Sequence, residues 1–240
     1  MRLLIIRHGD PDYAIDGLTE RGVREADALA DRLVRENIDY AYSSPLGRAR
    51  LTAKPTMARL GMEAEICPWL REFSHVRMTL PGATEPRIAW DLLPRVMAEN
   101  PALYTKDWRR VGFIEASEIP SEYDYVTGEF DALLARHGYE RDGINYRVLR
   151  ENHGTVAFFC HFGLEAVLLS HLMNCSPYSI WQNACALPTS VSEIFTEERE
   201  RGVASMRMTR FADLSHLYAA GIEPAFAARF CECYSDEARH

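Results

Sequence analysis

Basic side chains stand at the carboxyl ends of three apolar stretches of the sequence. Arg7 and His8 follow "LLII", and His161 follows "GTVAFFC". The third stretch, "IDYAYSS", leads into Arg48. Two guanidinium groups and two imidazoles around one point would suit a phosphate dianion, because arginine forks match its oxygens and histidine can donate or attack. Gly9 would let the backbone approach such a ligand closely, so the pattern predicts one cationic phosphate site.

An alternation of strands and helices would bring these strand ends together. The apolar run 2–6 predicts a buried strand, and Thr19 is the predicted N-cap of a helix that extends past Leu33. The order βαβαβ, an excursion, βα and ββα implies an α/β fold with a mainly parallel sheet and helices on both faces. Ligands of such sheets bind beyond the carboxyl ends of the strands. The remaining predicted strands cover 38–44, 62–68, 154–160, 189–198 and 203–211, and further helices cover 45–61, 164–174 and about 223–233.

Residues 73–150 form an insertion that interrupts the alternation of strands and helices. The whole chain, 1–240, is predicted to be one domain. The insertion is predicted to contain two helices, around 84–98 and 121–137, and is long enough to form a helical cap over the site. A cap would carry the substrate selectivity. Its aromatic residues predict either an apolar entrance or a small satellite core, and they are Trp90, Tyr104, Trp108, Tyr123 and Tyr125.

Composition and charge exclude several classes of protein. The chain has 240 residues, of which 47% are hydrophobic and 26% charged, as in an ordinary soluble domain. Its net charge of −8 argues against a nucleic-acid or acidic-membrane partner, since both favour a basic face. No apolar run approaches the ~20 residues of a membrane span, and the six scattered cysteines fit a reducing compartment. We therefore expect a cytoplasmic protein; a homodimer is compatible with the sequence, which does not fix the oligomeric state.

Three motifs, "LLIIRHG" (3–9), "SSPLGRARLTA" (43–53) and "CHFG" (160–163), occur in this order along the chain. Together they resemble the signatures of the histidine phosphatase superfamily, the phosphoglycerate-mutase-like proteins. "WLREF" (69–73) resembles the family's segment with the catalytic acid, and "PTSVSEIFTEE" and "RFADLSHL" resemble its closing strand and ending. The tripeptide RHG alone would be weak evidence for this family. The three motifs together, in this order and far apart along the chain, are specific evidence for it. The resemblance implies the phosphoglycerate mutase-like fold.

The resemblance also implies a mechanism that needs no cofactor and no metal ion. His8 would be the nucleophile and would form a phosphohistidine intermediate. Arg7, Arg48 and His161 would hold the phosphoryl oxygens and stabilise the charge during transfer. Glu72 would protonate the leaving oxygen and later activate water. A hydrogen bond between the backbone and the other ring nitrogen of His8 would fix its tautomer.

Three carboxyl groups remain candidates for the proton donor. Glu72 occupies the family-like position, Asp10 lies two residues from the nucleophile, and Glu165 follows His161 by one helical turn. Asp10 stands where relatives often carry Glu or Gln, and Phe162 stands where they commonly carry glycine. A bulky Phe162 would narrow the site or shift backbone donors. The residues expected to contact substrate are Arg7, Gly9, Asp10, Arg48 and Phe162.

Hydrolysis of a small phosphomonoester is the leading functional interpretation, with the substrate and inorganic phosphate as partners. A phosphoglycerate-type phosphomutase is the alternative, although the proline-rich cap segment of the family's mutases is not recognised here. A non-catalytic phosphate- or phosphoprotein-binding module on the same fold is a second alternative. A metal hydrolase is disfavoured, because no HxxxH pattern is present and two arginines would repel a divalent cation.

Overall fold

A computed structural model describes residues 1–227 and 233–235 of the chain. Its central element is an eight-stranded sheet in the order β5-β4-β10-β1-β11-β12-β9-β8, accompanied by two small two-stranded sheets, β2-β3 and β6-β7. The strands are β1 (Arg2–Arg7), β2 (Pro11–Asp12), β3 (Gly17–Leu18), β4 (Ile38–Ser43), β5 (Glu65–Ile66), β6 (Arg77–Met78), β7 (Arg87–Ile88), β8 (Tyr139–Asp142), β9 (Asn145–Val148), β10 (Thr155–Cys160), β11 (Val191–Glu200) and β12 (Val203–Asp213).

The sheet has a parallel half and an antiparallel half, so the prediction of a mainly parallel sheet is wrong. β5, β4, β10 and β1 pair in parallel, whereas β11, β12, β9 and β8 continue the sheet with antiparallel pairs. The physical reason is the length of the connections between the strands of the second half. β11 and β12 are joined by a short turn in which Gly202 has a φ of +81°, and short turns join only antiparallel neighbours. The strands predicted over 189–198 and 203–211 are confirmed, and they pair with each other as β11 and β12.

Helices cover both faces of the sheet, as predicted. Alternate residues of β1 point to opposite faces: Leu4 and Ile6 pack in one apolar cluster, and Leu3 and Ile5 in another. The first cluster includes apolar residues of α1 and α2, and the second includes those of α5, α6 and α7. The helices are α1 (Glu20–Leu33), α2 (Gly47–Leu60), α3 (Pro94–Glu99), α4 (Gly112–Glu115), α5 (Ile119–Arg136), α6 (Phe162–Leu172), α7 (Pro177–Trp181) and α8 (Ser215–Ala219).

Local chemistry explains where several helices begin and end. Thr19 caps α1 as predicted, because its hydroxyl accepts a hydrogen bond from the backbone N–H of Gly22. α2 continues past Pro55 to Leu60 and ends at Gly61, which has a φ of +64°. The helix predicted over 84–98 is wrong: β7 occupies part of it, and α3 begins at Pro94, where a proline suits the first helical turn. The helix predicted over about 223–233 extends outside the described residues, and residues 223–227 are not helical.

Residues 73–150 do not form a purely helical cap. β8 and β9, which lie in this region, form a hairpin that extends the central sheet. Trp108 and Tyr123 are 4% and 6% exposed and pack in the same apolar cluster as Leu3 of β1, so they do not line an entrance. The satellite core is therefore continuous with the main core. None of the helices in the described part of the chain has the length and apolarity to cross a membrane.

Candidate active site

The two histidines predicted at separate strand ends face each other. β1 and β10 are adjacent parallel strands, and their register places Arg7 beside Cys160. Each histidine directly follows its strand, and the ring centroids of His8 and His161 lie 5.1 Å apart. Both residues are buried, with exposed fractions of 2% for His8 and 0% for His161. The parallel half of the sheet thus brings both imidazoles to one point.

A backbone hydrogen bond sets the tautomer of His8. Nδ1 lies 2.7 Å from the carbonyl oxygen of Gly9. A carbonyl oxygen can only accept, so Nδ1 carries the proton and Nε2 keeps its lone pair. Burial, and then the charges of Arg7 and Arg48, hold the pKa of His8 well below its usual value of 6.5. His8 is therefore a neutral imidazole whose Nε2 has the lone pair that a nucleophile needs.

Ser44, which the sequence did not single out, orients His161. The hydroxyl of Ser44 accepts a hydrogen bond from the backbone N–H of Leu46, and its oxygen lies 2.7 Å from Nε2 of His161. With Ser44 as the donor to Nε2, the ring proton is on Nδ1. Nδ1 of His161 is buried and has no partner among the described residues. Burial and the neighbouring cationic groups hold the pKa of His161 well below 6.5, so this ring is neutral as well.

Two buried arginines supply positive charge beside the imidazoles. Arg7 and Arg48 are 3% and 9% exposed. Nη1 of Arg7 donates to the backbone carbonyl oxygens of Ala186 and Ala227. Nε of each arginine is buried and lacks a partner in the described part of the chain. Together with Nδ1 of His161, these are three buried donors that a bound oxyanion would satisfy.

Asp16 holds Arg48 in place, and the sequence analysis did not predict this role either. Its carboxylate accepts hydrogen bonds from Nη1 of Arg48 and from the backbone N–H of Gly47, at 2.6 Å each. The Tyr13 ring lies under the same guanidinium, with 5.4 Å between its centroid and Cζ of Arg48. Asp16 belongs to the loop between β2 and β3, and 32 residues separate it from Arg48. No local spacing could have indicated this contact.

Gly9 is needed for packing against α1. Its N–H donates to Oγ1 of Thr52 at 2.9 Å, so this amide is already paired. A methyl group at this position would lie only 2.8 Å from the carbonyl oxygen of Gly22 in α1. The close approach that the glycine permits is therefore with the first helix. A contact between the Gly9 backbone and a ligand stays a prediction.

Glu72 lies at the amino end of α6, close to the cationic groups. Its Oε1 accepts hydrogen bonds from the backbone N–H groups of Phe73 at 2.8 Å and Leu164 at 3.0 Å. Oε2 has one longer contact, 3.4 Å from the N–H of Gly163. Burial raises the pKa of Glu72, and the backbone donors and Arg7 offset only part of that effect. A carboxyl with a raised pKa and one lightly bonded oxygen can act as a general acid.

Asp10, the first rival acid, is tied to the start of α1. Its Oδ2 accepts a hydrogen bond from the hydroxyl of Thr19 at 2.7 Å. Its backbone N–H donates to Oε2 of Glu25, a fully buried carboxyl of the same helix, at 2.8 Å. These bonds join the loop after His8 to α1. The structure therefore gives the Asp10 carboxylate a role at the helix cap.

Glu165, the second rival, is a buried carboxyl on α6. Its Oε1 accepts a hydrogen bond from the hydroxyl of Ser192 in β11 at 2.6 Å, and its Oε2 is buried without a partner among the described residues. Burial raises its pKa to about 7, while the Ser192 bond and Arg7 act in the opposite direction. Glu165 and Glu72 are close enough for the charge of Glu72 to raise the pKa of Glu165 further.

Phe162 and Gly163 shape the opening of α6. Phe162 is buried, and its ring packs edge-on against Trp90 with 6.3 Å between centroids. A methyl group on Gly163 would overlap Cη2 and Cζ3 of Trp90 and would lie 2.7 Å from Oε1 of Glu72. In "CHFG" the glycine thus lies one position after Phe162, at a point where a side chain would overlap Trp90.

Comparison with known families agrees with this geometry. A model described as histidine phosphatase superfamily (branch 1) matches residues 3–108. The matched span contains "LLIIRHG", "SSPLGRARLTA" and "WLREF". The resemblance predicted from these motifs is confirmed.

Two curated relatives are phosphatases. The chain is 23% identical over 218 residues to phosphoserine phosphatase 1 of Hydrogenobacter thermophilus, a match that covers 87% of this chain and 93% of the relative. It is 32% identical over 118 residues to the adenosylcobalamin/alpha-ribazole phosphatase of Escherichia coli, a match that covers 45% of this chain and 55% of that protein.

Solved structures share the fold. A phosphoserine phosphatase from Entamoeba histolytica in complex with 3-phosphoglyceric acid has a TM-score of 0.60 and 18% identity, covering 90% of this chain and 98% of its own. A mycobacterial glucosyl-3-phosphoglycerate phosphatase in complex with inorganic phosphate has a TM-score of 0.57 and 20% identity over the same shares. At these identities the likeness establishes the α/β fold with its large central sheet.

Proposed function

We propose that this chain, whose residues 3–108 match the histidine phosphatase superfamily, hydrolyses a small phosphomonoester through a phosphohistidine intermediate on His8. The observation that carries the proposal is a neutral imidazole surrounded by buried donors without partners. The donors are Nε of Arg7, Nε of Arg48 and Nδ1 of His161. Unpaired buried donors are rare in proteins, and three of them on residues that neighbour the His8 imidazole support a site for a phosphoryl group.

In the first step, Nε2 of His8 attacks phosphorus, and the bond from phosphorus to the alcohol oxygen breaks. The three donors bind the phosphoryl oxygens, where each such donor contributes ~3 kcal/mol to transition-state stabilisation. The electron pair of the broken bond stays on the alcohol oxygen, which takes the proton of Glu72.

In the second step, Glu72 acts as the base. As a carboxylate it removes a proton from a water molecule while the water oxygen attacks phosphorus of the phosphohistidine. The phosphorus–nitrogen bond breaks, its electron pair returns to Nε2 of His8, and inorganic phosphate leaves. Glu72 is then protonated again, so the cycle closes without a cofactor.

The relatives narrow the substrates worth assaying. Two of them are phosphoserine phosphatases, one hydrolyses an alpha-ribazole phosphate by its name, and one is a glucosyl-3-phosphoglycerate phosphatase. We infer a phosphorylated small molecule as the substrate and place phosphoserine first in a panel. Interconversion of 2- and 3-phosphoglycerate, assayed in the same panel, would instead indicate the mutase.

The decisive experiment compares wild-type protein with His8→Asn on p-nitrophenyl phosphate. We expect the variant to lose about 10³-fold or more of kcat, because the nucleophile is gone. Mass spectrometry of acid-quenched wild type should find a phosphoryl adduct on the peptide that contains His8. His153→Asn, which changes an exposed histidine, is the matched control. Full activity of His8→Asn would refute the proposal, and phosphate or vanadate binding without turnover of any substrate would favour the binding module.

A chelator tests metal independence. We expect EDTA to leave the rate unchanged, since arginine and histidine donors supply the positive charge in this mechanism. Loss of activity that returns with added metal would contradict it.

A further inference from the structure

The six-membered ring of Trp90 and the carboxyl of Glu72 lie against the same side of Gly163. The position of a methyl group on Gly163 would overlap Cη2 and Cζ3 of the indole and lie 2.7 Å from Oε1 of Glu72. A gap too small for a methyl group at that point is also too small for a water molecule. The indole therefore lies beside the carboxyl and keeps water out of that gap, while the Glu72 residue as a whole stays partly exposed.

α7 anchors both sides of this contact. Nε1 of Trp181 donates to the carbonyl oxygen of Gly163 at 2.9 Å, and Nε2 of Gln182 donates to the carbonyl oxygen of Trp90 at 2.8 Å. The Trp90 ring packs between Phe162 and Trp181, at centroid distances of 6.3 and 6.0 Å. The position of the indole is thus fixed by one hydrogen bond to the Trp90 backbone and two ring contacts, and the bond from Trp181 fixes Gly163 beside it.

We propose that Trp90 is a positioning residue whose indole covers one side of the Glu72 carboxyl, keeps solvent from that side and so favours its protonated form until the leaving oxygen arrives. This inference rests on the proposed function, in which Glu72 is the acid. An apolar wall beside a carboxyl disfavours its charged form, and burial is the largest cause of the raised pKa of Glu72. Lysozyme uses a tryptophan beside a catalytic glutamate in the same physical way.

Other charged groups also face Glu72, and they stay in place when Trp90 is changed. They are Arg7 of β1, Arg48 of α2, Glu165 of α6 and the Cys160 thiol of β10. Both arginines favour the carboxylate, so without the apolar cover the balance moves toward ionisation. A smaller side chain at 90 should therefore weaken the acid without changing the cationic cradle.

The test measures kcat/KM against pH for Trp90→Leu and Trp90→Phe, with an alkyl phosphate as the poor leaving group and p-nitrophenyl phosphate as the good one. For Trp90→Leu we expect the alkaline limb with the alkyl phosphate to move down by about one pH unit and the rate at its optimum to fall about 10-fold. The p-nitrophenyl phosphate rate should change far less, because its leaving group needs little protonation. Trp90→Phe should show a smaller shift and supplies the same test if Trp90→Leu does not fold.

Trp108→Phe, a change at another buried tryptophan, is the control and should keep the wild-type profile. An unmoved alkaline limb in both Trp90 variants would overturn the inference, as would an equal loss with both substrates, which marks a purely structural role. Glu72→Gln separates this failure from that of the proposed function. If Glu72→Gln keeps full activity on the alkyl phosphate, the acid itself is misassigned; if it loses that activity while the Trp90 variants keep their limb, only the role of Trp90 is refuted.

Discussion

Ser44 and His161 are joined by a 2.7 Å hydrogen bond between Oγ and Nε2. They follow β4 and β10, which are neighbours in the parallel half of the sheet. The Ser44 hydroxyl also accepts a hydrogen bond from the backbone N–H of Leu46, and its own proton can be donated to the imidazole. With Ser44 as the donor in this bond, Nδ1 of His161 is the nitrogen that can donate to a phosphoryl oxygen.

Replacing Ser44 by alanine should therefore release the tautomer of His161. We expect kcat on p-nitrophenyl phosphate to fall about 10- to 100-fold while the protein stays folded, in line with the effect of residues that orient a functional histidine. Ser43→Ala is the matched control, since among the described residues the Ser43 hydroxyl bonds to the carbonyl oxygen of Ser44 and not to an imidazole. An unchanged kcat in Ser44→Ala would show that this bond does not set the donor.

Asp16→Asn tests whether Asp16 pre-organises Arg48. Asparagine tolerates the positive φ of +47° at this position, so the loop backbone should keep its shape. The neutral amide holds the guanidinium less firmly, and we expect kcat/KM to fall about 10-fold, less than for a fully buried ion pair because Asp16 is partly exposed. A rise in kcat/KM would instead mark Asp16 as a competitor of the substrate phosphate.

Gly163→Ala should damage both stability and catalysis. The added methyl group meets the Trp90 ring and Oε1 of Glu72, so one of them must move. Overpacking of this kind costs about 1–3 kcal/mol of the free energy of unfolding. Gly112→Ala, where a methyl group meets nothing within 4 Å, is the control for urea unfolding and kinetics. Equal behaviour of the two variants would contradict the steric account.

Glu165 should make the protein less stable as pH rises. Its pKa is raised from 4.5 to about 7 on folding, so between these values the unfolded chain ionises while the folded one does not. The free energy of unfolding should fall across that window by up to about 3 kcal/mol and then level off. Urea titrations of Glu165→Gln should show a flatter profile, whereas Glu63→Gln, an exposed control, should follow wild type.

The central residues of the site were predictable because each lies next to a strand end. His8 and His161 needed only the rule that parallel strands deliver their carboxyl ends to one edge, and the 5.1 Å between their rings follows from the β1–β10 register. Their partners were not predictable from spacing. Asp16 reaches Arg48 from a loop, and Trp90 reaches Gly163 from a region without regular alternation, so tertiary packing alone decides both contacts.

The antiparallel half of the sheet had a signal that the sequence interpretation missed. Asp142 is the last residue of β8, and Gly143, which has a φ of +59°, begins the two-residue turn to β9. Asp-Gly between two β-type segments is a strong hairpin signal. Assigning the whole of 73–150 to a cap obscured it, because a hairpin was not expected to return to the central sheet.

The position of β10 has a consequence for how the molecule matures. This strand inserts between β4 and β1, both of which are made more than a hundred residues earlier in synthesis. Contacts of such separation form late, after much loop-closure entropy has been lost. A nascent polypeptide that has not yet received its central strand lacks His161 beside His8, so enzymatic competence arrives only with completion of the sheet. Under the proposed function, partly folded molecules would then not hydrolyse phosphate esters.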